Sequence, residues 1–257
     1  MKRKVIVIGI GAGNPDHVTM QAVDALNRVS VLFIPDKGTE KTDLAQLRRQ
    51  ICERFIRNDD YRMVDFATPP RKRSTPDYRQ DINIWREQVE DVYQRLLTEE
   101  LGDDDCGAFL VWGDPSIYDG TLRILEKIRA KGALELEYEV IPGISSVQAL
   151  AARHRVPLHG IGASIMITTG RKLAEGFPDD VDSVVVMLDA ANAFKTVDGD
   201  LDIHWGAYVG MDEEILLSGK VRDVGDEIER LRDNAREEHG WIMDSYLLTR
   251  AGKDDGE

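Results

Sequence analysis

Short apolar runs alternate with amphipathic stretches along the 257-residue chain, which predicts an α/β protein of two α/β domains with a ligand cleft between them. Two further observations agree. The runs at residues 5–10, 108–112 and 183–188 are almost continuously apolar, the pattern of strands covered on both faces. Each ends in turn-forming or small residues, and helical spacing resumes only afterwards. The sharpest break, Gly113-Asp114-Pro115, divides the chain into domains 1–113 and 114–257. It follows a buried strand, and the carboxyl end of such a strand is where open α/β folds place ligands.

The first strand, Val5-Ile6-Val7-Ile8, runs into Gly9-Ile10-Gly11-Ala12-Gly13, which resembles a dinucleotide fingerprint. In that fingerprint the last glycine opens a helix. Here Asn14-Pro15-Asp16-His17 intervenes, and helical spacing (Ala22, Val23, Leu26) begins near Thr19. The second strand, 31–34, ends in Pro35-Asp36 without an acidic residue at the ribose-binding position. A helix carrying Leu44, Leu47, Ile51 and Phe55 follows, then a strand over 62–66. The stretch 68–76 holds three prolines around Arg71, Lys72 and Arg73, the densest basic cluster of the chain. A long helix over 78–100 places Ile82, Trp85, Val89, Val92 and Leu96 on one face. Beyond the central turn, a helix over 121–130 and a strand over 134–141 are expected. The strand leads into Pro142-Gly143-Ile144-Ser145-Ser146, where Ser145 or Ser146 is suited to cap the next helix. Strands are expected at 164–169, 183–188, 207–211, 215–221 and 241–249, with a charged amphipathic helix over 224–238.

A net charge of −14 argues against a nucleic-acid surface and against an anionic membrane partner. It leaves room for an anionic small ligand at a local basic cluster. No apolar run is long enough to span a bilayer, and Cys52 and Cys106 show neither metal-ligand spacing nor a disulfide framework. A reducing cytoplasm is the expected compartment.

Four blocks, in order, carry a family resemblance. They are Val7-Ile8-Gly9-Ile10-Gly11-Ala12-Gly13-Asn14-Pro15 with Thr19; Leu110-Val111-Trp112-Gly113-Asp114-Pro115-Ser116-Ile117-Tyr118; Val140-Ile141-Pro142-Gly143-Ile144-Ser145-Ser146; and Val209-Gly210-Met211-Asp212-Glu213-Glu214 with Ser218-Gly219-Lys220-Val221. Each is weak alone; together they resemble the tetrapyrrole methylase family over nearly the whole chain. The start through His17, Phe33-Ile34-Pro35-Asp36-Lys37-Gly38 and the ending Tyr246-Leu247-Leu248-Thr249-Arg250 resemble the member that methylates precorrin-5 at C1 with loss of acetate, in the oxygen-dependent cobalamin route.

The resemblance implies S-adenosylmethionine as cofactor, a homodimer, and a precorrin as substrate. It implies cofactor contacts at Pro15, Gly113, Asp114, Ile117, Ser145, Ser146, Met187 and Gly210. Trp112 replaces a smaller residue common in uroporphyrinogen methylases, which implies a contact through its backbone. Asp36 and Lys72 fall where those relatives place acid–base candidates, and Arg71, Arg73 and Arg171 are suited to orient a polycarboxylate. Methyl transfer from a sulfonium needs no metal. The alternatives are another methylase of the family, diphthine synthase included; a non-catalytic tetrapyrrole carrier; and, in a different class, an NAD(P)-dependent oxidoreductase built on the Gly9–Gly13 loop.

Overall fold

Val5 and Val7 on one side and Ile6 and Ile8 on the other make β1 (Lys2–Gly9) apolar on both faces, and it takes an inner place in a parallel sheet. The computed structural model describes residues 2–36, 42–70 and 78–250, which fall into two units, Met1–Ile144 and Ser145–Glu257.

In the first unit β1 lies between β4 (Cys106–Val111) and β5 (Glu135–Ile141). Next to β4 comes β2 (Val31–Asp36), and at the edge β3 (Arg62–Ala67), giving the order β3-β2-β4-β1-β5 with every pair parallel. Helices cover both faces. Val5, Val7, Phe33 and Phe109 face α3 (Tyr78–Glu99) and α4 (Thr121–Lys131), which contribute Tyr93, Leu97, Leu125 and Ile128. Ile6, Ile8, Leu32 and Leu110 face α1 (Met20–Leu26) and α2 (Thr42–Phe55), which contribute Ala22, Leu26, Ile51 and Cys52. The two-residue alternation of side chains divides one apolar strand between two cores.

The division between units comes later than the Gly113 turn suggests. β5 follows that turn, yet it pairs with β1 from Lys2–Glu135 to Ile8–Ile141, so α4 and β5 complete the first sheet. The connection from β1 leads toward β2 and the connection from β4 leads the opposite way, to β5. The adjacent ends of β1 and β4 are therefore a topological switch point.

The second unit has a mixed sheet in the order β6 (Ile165–Thr169), β7 (Ser183–Met187), β10 (Asp244–Thr249), β8 (Asp202–Ala207), β9 (Ile215–Lys220). Only β6 and β7 are parallel. A Cβ on Gly206 would meet Leu150 of α5 (Ser146–His154), and one on Gly219 would meet Val224 of α7 (Val221–His239). Gly206 and Gly219 point to opposite sides of the β8–β9 ladder, so these helices cover opposite faces. The short α6 (Gly170–Leu173) follows β6.

One predicted strand is corrected. Residues 208–211 form no strand; β8 ends at Ala207, and Tyr208 turns left-handed at φ +50°. In the true strand, Asp-Ile-His-Trp-Gly-Ala, Asp202 and His204 share the face of Gly206 toward α5, where the His204 ring meets His154, a placement that the sequence does not reveal.

Phe109 stacks on Phe33 (4.8 Å) and Tyr93 (4.5 Å) and meets Phe66 edge-on. Phe109→Ala is expected to lower the stability of the first unit by about 3–5 kcal/mol, read from the urea midpoint of its unfolding transition.

Candidate active site

The loops after β1, β4 and β5 meet backbone to backbone. Ile10 N–H donates to the Val111 carbonyl (2.9 Å), and Gly11 and Gly113 exchange hydrogen bonds of 3.4 and 2.8 Å. Gly143 packs onto both: a Cβ there would lie 2.2 Å from the Gly113 oxygen, and one on Gly9 would lie 2.6 Å from the Gly143 nitrogen. Gly113 also sits at φ +65°, a conformation that L side chains rarely adopt.

Asp114 fastens this junction. Its Oδ2 accepts from Gly143 N–H (3.0 Å), and its Oδ1 accepts from Ser116 N–H (2.8 Å) and from the Ser116 hydroxyl. Burial acts to raise its pKa, but the Ser116 hydroxyl and the Gly143 and Ser116 N–H groups outweigh burial and hold it below the ordinary carboxylate value. Pro15 opens a 3-10 turn, Pro15–His17, capped by Asn14. Helix α1 starts only after Thr19, whose hydroxyl accepts from Ala22 N–H (3.1 Å). The helix therefore does not follow Gly13, as a dinucleotide fingerprint requires.

In the second unit Ser145 caps α5 in a capping box with Gln148, and Ser146 is the first helical residue. Met187 and Ala207 end β7 and β8 at the same edge of the sheet, on either side of the start of β10, since Met187 pairs with Ser245 and Ala207 with Asp244. Left-handed residues follow both strands: Leu188 at φ +54°, 66% exposed, and Tyr208 at φ +50°. Gly210 lies in the second turn, its N–H donating to Glu214 Oε2 (2.9 Å).

A buried polar network holds the first turn. Asp189 accepts from Ala191 N–H (2.9 Å), Ala193 N–H (2.7 Å) and the Tyr246 hydroxyl (2.7 Å). Arg232 of α7, fully buried, reaches the Asp189 carbonyl and the Asn192 side chain, and pairs with Asp244 at 2.9 Å. Trp205 donates its indole N–H to the same Asp244 (2.8 Å).

The structure thus brings the loops of Pro15, Gly113, Asp114 and Ile117 to one edge of the first sheet, and those of Met187 and Gly210 to one edge of the second. Asp36 ends β2, its backbone in register with Ala67. Arg171 is exposed on α6. Arg71, Lys72 and Arg73 lie outside the described residues. The Asp189–Arg232–Asp244 network was not anticipated, because Arg232 reads as one more charge on a solvated helix.

The model of the tetrapyrrole (corrin/porphyrin) methylases matches residues 4–225. The chain belongs to this family. A precorrin-6A synthase [deacetylating] of Sinorhizobium sp is 50% identical over 253 residues, spanning 98% of this chain and 97% of that protein. The crystal structure of a cobalamin-synthesis-related protein (CobF) of Corynebacterium diphtheriae superposes with a TM-score of 0.83 at 34% identity, over 98% of this chain and 100% of that one. A uroporphyrin-III C-methyl transferase of Thermus thermophilus, solved with S-adenosyl homocysteine, shares the fold at a TM-score of 0.60 and 15% identity, over 96% of this chain and 97% of that one. As a tetrapyrrole methylase the chain is a methyltransferase.

Asp114→Ala removes the carboxylate that accepts from the Gly143 and Ser116 N–H groups and is expected to cost about 1–3 kcal/mol in the first unit. Because its folded pKa is depressed, the Asp114 contribution is present above the unfolded value of about 3.9 and is lost as pH falls through the lower folded value. Urea denaturation of both proteins from pH 7 to pH 3 should show the difference steady near neutrality and shrinking below about pH 4.

Proposed function

We propose that this chain is an S-adenosylmethionine-dependent C-methyltransferase of cobalamin biosynthesis that converts precorrin-5 to precorrin-6A, methylating C1 with release of acetate. The observation that carries this reading is the 50% identity to the Sinorhizobium precorrin-6A synthase [deacetylating] across nearly the full length of both chains.

The residues suit the cofactor. Exposed Leu188 beside half-buried Met187, with the small Ala190 and Ala191 following the buried Asp189, gives the second unit an apolar surface at this edge, as an adenosyl group requires. We assign cofactor contacts to Pro15, Gly113, Asp114 and Ile117 in the first unit and to Ser145, Ser146, Met187 and Gly210 in the second. Both oxygens of Asp114 and the N–H of Gly113 are already engaged within the protein. In this assignment those two residues shape the loop, and their contact to the cofactor is one of packing. When bound, S-adenosylmethionine supplies an activated methyl group. The chain holds the receiving carbon close and in line, a contribution of up to roughly 7–11 kcal/mol.

Release of acetate needs water added to a ketone carbon. Asp36, at the carboxyl end of β2, is assigned to accept the proton from that water, with Lys72 as its acid–base partner. Cleavage of the acyl carbon–ring bond leaves its electron pair on the macrocycle, which becomes the methyl acceptor. Arg71, Arg73 and Arg171 are assigned to the substrate's carboxylates. We place the enzyme in the cytoplasm as a homodimer, the state the family resemblance implies; free Cys52 and Cys106 suit a reducing compartment.

Incubation of precorrin-5 with methyl-labelled S-adenosylmethionine should yield one labelled methyl and one acetate per product, read by mass spectrometry. Labelled product without acetate would reassign the chain to another precorrin methylation. In single-turnover assays Asp36→Asn is expected to slow acetate release by about 10²–10⁴-fold with S-adenosylhomocysteine affinity unchanged. A normal rate would remove Asp36 from the mechanism.

A further inference from the structure

A cavity of about 320 Å³ opens in the first unit where β2, β3 and β4 end, beside Pro35, Thr68 and Trp112. Its walls are largely aromatic and include Phe33, Phe66, Trp85, Tyr93 and Phe109. Two charged side chains stand among them, Arg48 and Asp119. Arg48 of α2 lines the cavity and is only 7% exposed. Its Nε donates to the Leu110 carbonyl (3.0 Å) and its Nη1 to the Leu44 carbonyl (2.8 Å). Those bonds occupy two nitrogens and tie α2 to β4. They do not neutralise the charge, and among the described residues no carboxylate lies within ion-pair distance and nothing accepts from Nη2.

Asp119, the acid in the cavity wall, accepts from Thr121 N–H (2.7 Å) at the start of α4. Trp112, on the same wall, has its indole N–H buried without an acceptor. Asp119 acts on Arg48 only from beyond ion-pair distance. A guanidinium buried without a contacting anion is costly by several kcal/mol, and a neutral donor would serve the two carbonyls as well. The cavity is thus preset for an anion with an apolar stem: donors at one place, aromatic surface around it. Its volume is at the bottom of the ~300–1,000 Å³ range of small-molecule sites, so it admits one arm of a tetrapyrrole and not the macrocycle.

We propose that this cavity seats one carboxylate side arm of the tetrapyrrole, with the carboxylate on the Arg48 guanidinium and the methylene stem against the aromatic walls. The inference rests on the substrate proposed above. Arg48 then fixes which way round the macrocycle binds, and is a specificity-determining residue that takes no part in proton transfer.

The test uses 3-phenylpropionate and its uncharged amide as probes of the full-length protein, together with steady-state kinetics on precorrin-5. Calorimetry should show the acid binding at least tenfold more tightly than the amide, with that preference lost in Arg48→Gln and partly kept in Arg48→Lys. The acid should compete with precorrin-5 and leave S-adenosylhomocysteine affinity unchanged. Arg48→Gln should raise the KM for precorrin-5 by about 10–100-fold with kcat changed much less. Equal binding of acid and amide, or an unchanged KM in a folded Arg48→Gln protein, would overturn the proposal. Loss of acetate product inhibition with KM unchanged would likewise overturn it, moving the released acetate into the site. Should Arg48→Gln fail to fold, competition by the acid but not the amide in the unmodified enzyme decides. An unmodified enzyme that prefers the acid but does not turn over precorrin-5 would overturn the assigned function and the identity of the arm, leaving a carboxylate site at Arg48.

Discussion

Three backbone segments cross at the carboxyl edge of the first sheet at distances that no side chain tolerates. Gly9, Gly113 and Gly143 leave β1, β4 and β5 and stack directly on one another, and Asp114 ties the last to the second. The switch-point topology requires this contact. Connections leave adjacent strands in opposite directions, so their loops must separate at once, and the closest backbone approach keeps the edge of the sheet open beside them. Around that edge sit the end of β2 with Asp36, the Asp114–Ile117 turn, and the aromatic cavity with Arg48.

Much of this was legible in the sequence, because the inner strands of the first sheet, β2, β4 and β1, are buried on both faces and read as apolar runs. Thr19, Ser145 and the glycines at strand ends are local signals with local causes, and they appear where expected. What stayed hidden depends on partners distant in sequence. β5 looks like part of a second domain until its pairing with β1 is known. β8 carries Asp202 and His204 on one face, so the more apolar 207–211 stretch beside it reads as the strand. Arg48 and Arg232 look like ordinary helix-surface charges; one is buried by the end of β4, the other by the β7 turn and β10. The glycine at 113 also meets a constraint that the sequence does not show. In the structure Gly11 and Gly143 approach it backbone to backbone.

The second unit meets the opposite demand. Leu188 and Asn192 hold left-handed backbone without being glycine, at a cost on the order of 1–3 kcal/mol each, and such residues persist only where the surroundings over-determine them. The surroundings here are the three donors on Asp189 and the buried Arg232–Asp244 pair. A loop shaped by fixed polar contacts from beneath can present an apolar, exposed tip without collapsing onto the sheet. The same logic holds Tyr208, whose hydroxyl donates to the Trp241 carbonyl at 2.5 Å.

The strand order has a consequence for how the protein emerges from the ribosome. β1 is made first, yet both strands that flank it come late: β4 begins at Cys106 and β5 at Glu135. At ~5–20 residues per second, the Val5–Ile8 run waits on the order of 5–20 s for its first hydrogen-bonding neighbour. Throughout that interval the nascent chain carries an unpaired, apolar strand, the kind of segment that seeks other edges. Lys2, Arg3 and Lys4 immediately before it are charges of the kind that disfavours such pairing.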